Sequence, residues 1–241
     1  MRGPDRGAEK ATPRKGARAE PNYVQRAEIR AMLDALDTER LKWRTIGNRM
    51  IVTGGRRGEI MGLRWDRVRF DLNRIKIDRA LLYTKSRGVY EDSTKTSDVR
   101  YLRLPAETMQ LLREWKQEQE HNRLMCANLW TNSGYVFTQD DGQRMNPDSI
   151  TAWLRGFSER HGLPHINPHA FRHTVASVLI SNGTDVVTVS KQLGHASVTT
   201  TEGFYAHMIE EQKAKATECI ADILLRSGRR SGPDLNAIKQ A

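Results

Sequence analysis

Between Asn167 and His207 the chain is punctuated so closely that only short helices fit. Pro168 stands where a helix begins, since its fixed φ suits a first turn and its missing N–H is not needed there. Asn182-Gly183 ends that helix. Gly194 ends the next, which runs from Thr184 to Leu193 with Val186, Val189 and Leu193 inward. Thr199 and Glu202 have capping-box spacing, which puts Tyr205 on the second turn of a further short helix. His195 falls just past a helix end, on a turn. On a helical wheel Phe171, Val175 and Val178 share one side, while His169, Arg172, His173 and Ala176 lie near the other. His169, Arg172, His195 and Tyr205 form a set able to hold and attack a phosphate.

The net charge of +10 on 241 residues points to a polyanionic partner, and nucleic acid is the usual one. No apolar run approaches the 18 or so residues that would argue for a membrane span, and no signal-peptide pattern is present. Cys126 and Cys219 are far apart and form no framework, which fits a reduced cytoplasm. His161, His165, His169 and His173 recur every four residues, but Gly162, Pro164 and Pro168 break the helix that would align them. No metal site is expected.

The spacing predicts an α+β fold, mainly α-helical, with a small antiparallel three-stranded sheet on one side. Residues 1–21 read as a flexible basic arm, with six Lys or Arg against three Asp or Glu. Helices are expected over 24–36 and 39–52. The glycines of Thr53-Gly-Gly-Arg-Arg-Gly-Glu end the second, and another helix follows. A glycine-flanked arginine at such a helix start can reach a ligand's phosphate. The strands are Val68–Phe70, Ile75–Ile77 and Val99–Leu104, the last with one face in the core and one facing an anion. The long connection from Leu82 to Asp98 carries Lys85, Arg87 and Lys95, with possible strand structure around Gly88-Val-Tyr90. Helices over 106–124 and 147–160 follow, the latter with Ile150, Trp153, Leu154 and Phe157 inward. Residues 227–241 read as a flexible tail.

Read in order, T-G-G-R-R-G-E, T-K-T, H-A-F-R-H-T and L-G-H with a tyrosine ten positions later resemble the catalytic domain of the tyrosine recombinases, the phage integrase family. The wording around them is most like integrases of conjugative transposons and temperate phages of low-GC Gram-positive bacteria. The resemblance covers about residues 22–226. It implies catalytic roles for Arg56, Lys95, His169, Arg172, His195 and Tyr205, with Glu59 in support; Lys85, on the same connection, is the alternative to Lys95 as the general acid. Lys85, Arg87, Arg100 and Lys191 are expected further DNA contacts. The family's separate N-terminal DNA-binding domain does not fit in 21 residues, so a catalytic fragment or an unusually short recombinase is expected.

The resemblance also implies a mechanism. Arg56 and Arg172 would neutralise the nonbridging oxygens of a phosphodiester, and His195 would add a donor. Tyr205 would attack, with His169 as base or orienter, and Lys95 would protonate the leaving 5′-hydroxyl. The 3′-phosphotyrosine conserves bond energy, so no cofactor, ATP or metal is required. Strand exchange would pass through a Holliday junction in a homotetramer on two double-stranded DNA segments, with the segment from Ile209 to Leu225 packing on a neighbour. An accessory excision factor or a host DNA-bending protein is a possible partner, and a nucleoid-associated cytoplasmic location follows. The rivals are a DNA-binding module without chemistry, a relaxing topoisomerase and a metal-dependent nuclease; the last lacks a carboxylate cluster.

Overall fold

The structure, a computed structural model, describes residues 26–93, 99–195 and 197–226. The arm and tail expected at the two ends, and Lys95, lie outside them. The chain opens with α1 (Arg26–Leu36), α2 (Leu41–Thr53) and α3 (Arg57–Met61). Gly54 ends α2 in the left-handed region (φ 58°), a conformation that costs a residue without Cβ little. A single 3-10 turn, Trp65–Arg67, leads into the strands.

Strands β1 (Val68–Arg69) and β2 (Arg74–Ile77) are joined by a turn, with Asn73 in the left-handed region (φ 47°) that Asn tolerates. Next come β3 (Arg79–Thr84), β4 (Gly88–Ser93) and β5 (Arg100–Arg103). The antiparallel sheet runs β1-β2-β5, with Ile75 opposite Leu102. The long connection is a second antiparallel pair, β3 against β4, with Leu82 opposite Tyr90 and Thr84 opposite Gly88. Its turn holds Lys85 and Arg87, both exposed, with the Arg87 guanidinium 4.0 Å from the Tyr90 ring centroid.

Two clusters form the core. The larger joins Met32, Ile46 and Met50 from the first helices to Ile75 and Leu102 of the sheet. It continues through Trp115 of α4 (Ala106–Cys126) and Leu154 of α5 (Asp148–Arg160). Each such aliphatic or aromatic side chain contributes about 1.5–3 kcal/mol when fully withdrawn from water. The indole of Trp115 also donates to the Val136 carbonyl at 2.6 Å, so its polar edge is satisfied in the interior. The smaller cluster holds Ala176, Ile180, Val189, Leu193 and Tyr205.

Helix α6 (Pro168–Ser181) belongs to both clusters, through Ala170 and Phe171 at one end and Ala176 and Ile180 at the other. Asn167 caps it, its side chain accepting from His169 N and Ala170 N at 3.0 Å each. The helix lies among α2, α7 (Val186–Leu193) and α8 (Val198–Ala221), so burial does not follow one stripe. This corrects the two-sided wheel: Ala176 and Arg172 are buried, while Val178 is 42% exposed.

Helix α8 departs from the expected short helix. Ser197 caps it, its hydroxyl accepting from Thr199 N at 3.2 Å. The helix continues to Ala221, broken only at Tyr205, where the backbone leaves helical values (φ −121°, ψ 21°). Its far end carries exposed apolar groups, Ile220 at 57%, followed by Leu224 at 70%. No described helix is long and apolar enough to cross a membrane.

Candidate active site

One buried carboxylate organises the basic groups. Glu59, on the first turn of α3, accepts from the Arg56 backbone N at 3.0 Å and the Arg56 guanidinium at 2.9 Å. Its other partner is Arg100 of β5, at 2.6 Å. Burial works against the charge on Glu59, but Arg100 and then Arg56 overcome it and hold the carboxyl below its ordinary range. Arg49, wholly buried on α2, and Arg172 also feel its charge. Four guanidiniums therefore share one carboxylate.

Arg56 and Arg100 reach past Glu59 to the last carbonyls of α7. Arg56 Nη2 donates to Gly194 O and Arg100 Nη1 to Leu193 O, each at 2.9 Å. Cations suit a helix C-terminus, where carbonyl dipoles converge. The turn that carries His195 is thereby fixed to α3 and β5. Arg100 was expected to face an anion across the sheet. It instead points inward, because strand alternation puts it on the same face as buried Leu102 and Leu104.

Gly194 makes this approach possible. It sits at φ 69°, and a Cβ there would lie 1.5 Å from Arg100 Nη1. Gly194→Ala should therefore lose the Arg100 contact and add left-handed strain of about 1–2 kcal/mol. Thermal unfolding followed by circular dichroism should show a melting temperature lower by roughly 2–8 °C for a chain of this size.

Arg172 is 6% exposed, and its Nη1 donates to Gly54 O at 3.0 Å. Its Nη2 is buried without a hydrogen-bond partner among the described residues. Burial, and then Arg56, lower its pKa to about 10, so it remains a cation at neutral pH. An unmade hydrogen bond on a buried cation is costly, and an anion's oxygen would complete it. His169, on the same helix, is exposed; partial desolvation of its ring, and then Arg172, lower its pKa and keep it neutral.

His195 Nδ1 lies 2.7 Å from Thr201 Oγ1, and Thr201 is buried. Burial, followed by Arg172 and Arg56, depresses its pKa to about 4. When the Thr201 hydroxyl is the donor to Nδ1, the neutral ring carries its hydrogen on Nε2; the other tautomer reverses the bond.

Tyr205 is 2% exposed, and its hydroxyl lies 2.6 Å from His173 Nδ1. Burial raises its pKa, and the Arg172 charge offsets only part of that. The phenol is therefore protonated at neutral pH. His173, not His169, stands at the hydroxyl. In the sequence His173 figured in a possible metal row and on the polar side of the helical wheel beside His169 and Arg172, without a catalytic role.

The structure thus groups Arg56, Glu59, Arg172, His195 and Tyr205 with His169, and adds Arg49, Arg100, His173 and Thr201. Lys85 and Arg87 stand on the hairpin turn, and Lys191 is exposed on the last turn of α7.

A family model described as the phage integrase family matches residues 22–212. A tyrosine recombinase XerC-like protein of Caldanaerobacter subterraneus subsp. tengcongensis is 28% identical over 226 residues, covering 89% of this chain and 57% of that one. The ICEBs1 integrase of Bacillus subtilis is 24% identical over 197 residues, covering 82% of this chain and 53% of the relative. The chain thus spans little more than half the length of these two relatives. Among solved structures, the Tn1549 transposon integrase in complex with transposon right end DNA has the same fold. Its TM-score is 0.73 at 22% identity, covering 86% of this chain and 69% of that one.

Proposed function

This chain belongs to the phage integrase family, and on that premise we propose that it breaks and rejoins DNA strands through Tyr205. The observation that carries the reading is the unsatisfied buried donor of Arg172. It lies in a surplus of positive charge to which Arg56, His195 and Tyr205 are all coupled.

Arg56 and Arg172 hold the nonbridging oxygens of a phosphodiester and stabilise the charge that builds on them. Such donors are commonly worth about 100- to 1,000-fold in rate each. His195 gives a further hydrogen bond, and His169 orients the phosphate from the Arg172 face. Tyr205 Oη attacks phosphorus, the bond to the 5′-oxygen breaks, and Lys95 protonates that oxygen. The product is a 3′-phosphotyrosine and a free 5′-hydroxyl, and the ester bond energy is kept for resealing to another strand.

Repeating the exchange on two duplexes passes through a Holliday junction and serves integration or excision of a mobile element. The relatives' names, a recombinase and an integrase, support that reading. Synapsis calls for a homotetramer, and the exposed apolar end of α8 supports a subunit contact there. The substrate is double-stranded DNA in a nucleoid-associated, cytoplasmic setting. An excision factor or a host DNA-bending protein would act on the direction of the reaction.

The deciding experiment uses nicked duplexes of randomised sequence. Molecules trapped covalently on the protein are recovered under denaturing conditions and sequenced, which also identifies the site. DNA that is bound but never trapped would leave only a non-catalytic DNA-binding module. Affinity should also fall steeply with salt. Five or more phosphate contacts give a slope of log K against log salt of about −4 or steeper. A flat response in a binding titration would contradict a basic DNA surface.

A further inference from the structure

We propose that His173 is the general base that takes the phenolic proton of Tyr205 during attack on the phosphodiester. The inference rests on the strand-breaking reading above and adds one catalytic group to it. Its first support is direct contact, since Nδ1 lies 2.6 Å from the tyrosine hydroxyl. The imidazole is also tilted against the rings of Phe204 and Tyr205, with centroids 5.4 and 6.0 Å away, so packing on α8 holds it in place.

Its second support is enclosure. Tyr205 is nearly sealed from solvent, so its proton needs a fixed acceptor rather than bulk water. His169 is one turn away on α6 and responds to Arg172, Arg57 and Arg56, the phosphate-binding side of the site. The titratable and charged groups facing His173 are His169 and Arg172 on its own helix, Tyr205 on α8 and His195 on the α7–α8 turn. Burial, then His169 and Arg172, lower its pKa, so the ring is an unprotonated acceptor at neutral pH.

The step balances. In the tautomer with its hydrogen on Nε2, Nδ1 receives the proton from Oη. The Oη–P bond forms, the bond from phosphorus to the 5′-oxygen breaks, and a separate acid protonates that oxygen. The imidazolium then faces the negative phosphoryl oxygens. On resealing, Nδ1–H returns the proton to the departing Oη.

The test measures single-turnover adduct formation on a nicked duplex recovered from the selection above. It compares the unsubstituted chain, His173→Gln and His173→Ala from about pH 5.5 to 9.5. Glutamine can still accept a hydrogen bond from the phenol but cannot take its proton. Both variants should bind DNA normally, melt cooperatively, and lose about 100- to 10,000-fold in rate at neutral pH. Their rates should climb about tenfold per pH unit as hydroxide replaces the base, while the unsubstituted chain stays level above the histidine's pKa. Added imidazole should restore part of the His173→Ala rate. A His173→Gln rate equal to the unsubstituted one, a faster variant, or a loss with an unchanged pH profile would each overturn the proposal. Those results leave Tyr205 cleavage standing. Absence of any adduct from the unsubstituted chain would remove the strand-breaking reading and the base together.

Discussion

Tyr205→Phe should bind DNA with the affinity of the unsubstituted chain and form no covalent product. The substitution removes one oxygen and leaves the ring in the cluster with Val189 and Leu193, so the fold should survive. The lost hydrogen bond to His173 costs about 1 kcal/mol. Among the described residues, the following tyrosines are not placed to take over the chemistry. Tyr135 is buried against Glu91, whose carboxylate engages its hydroxyl and helps burial raise its pKa. Tyr83 and Tyr101 are exposed on strands, away from the α6–α8 cluster. The loss should be complete on a denaturing gel, whereas a merely supportive tyrosine would leave a slow adduct. Residual product would remove Tyr205 as the nucleophile.

The second large effect concerns stability. Glu59→Ala should destabilise the fold by about 3–5 kcal/mol, since removing one partner of a buried pair leaves charges uncompensated. Here Arg56 and Arg100 lose a direct partner, and Arg49 and Arg172 lose the nearby negative charge. Glu59→Gln keeps the shape but not the charge and should show much of the same loss. The pH dependence has a definite sign. The folded-state pKa of Glu59 lies below its ordinary value of 4.5. Its contribution is therefore fully present above the unfolded pKa and is lost as pH falls through the folded one. Denaturant unfolding at pH 7 should separate the variants from the unsubstituted chain, and the gap should close in acid. A Glu59→Gln protein as stable as its parent at pH 7 would refute the role assigned to the carboxylate.

Much of this was legible from punctuation. Pro168 and Gly194 act locally, through a fixed φ and a left-handed turn, and they placed His169, Arg172 and His195 on the right elements. What local rules missed was decided by tertiary partners. Arg100 reads as a surface cation, but strand parity turns it toward a carboxylate 41 positions upstream. His173 reads as one of a histidine row until α8 brings a phenol to it. Thr199 reads as a cap, yet Ser197 takes that place. The second hairpin was only hinted at around Gly88, because its Arg79–Thr84 strand lacks strict alternation and its partner is mostly half-exposed.

The four guanidiniums around Glu59 have a consequence for the free protein. One carboxylate cannot neutralise them, and Arg172 keeps a buried donor unfilled. The native state therefore carries an electrostatic deficit that no described residue of the site repairs. On the proposed reading, a phosphodiester would remove it from outside. By mass action, what binds the native form alone also stabilises it, so on the proposed reading a DNA backbone would complete the interior of this protein as well as being its substrate. Phosphate affinity and conformational stability are then linked at this site, so a substitution that changes the charge around Arg172 should move both.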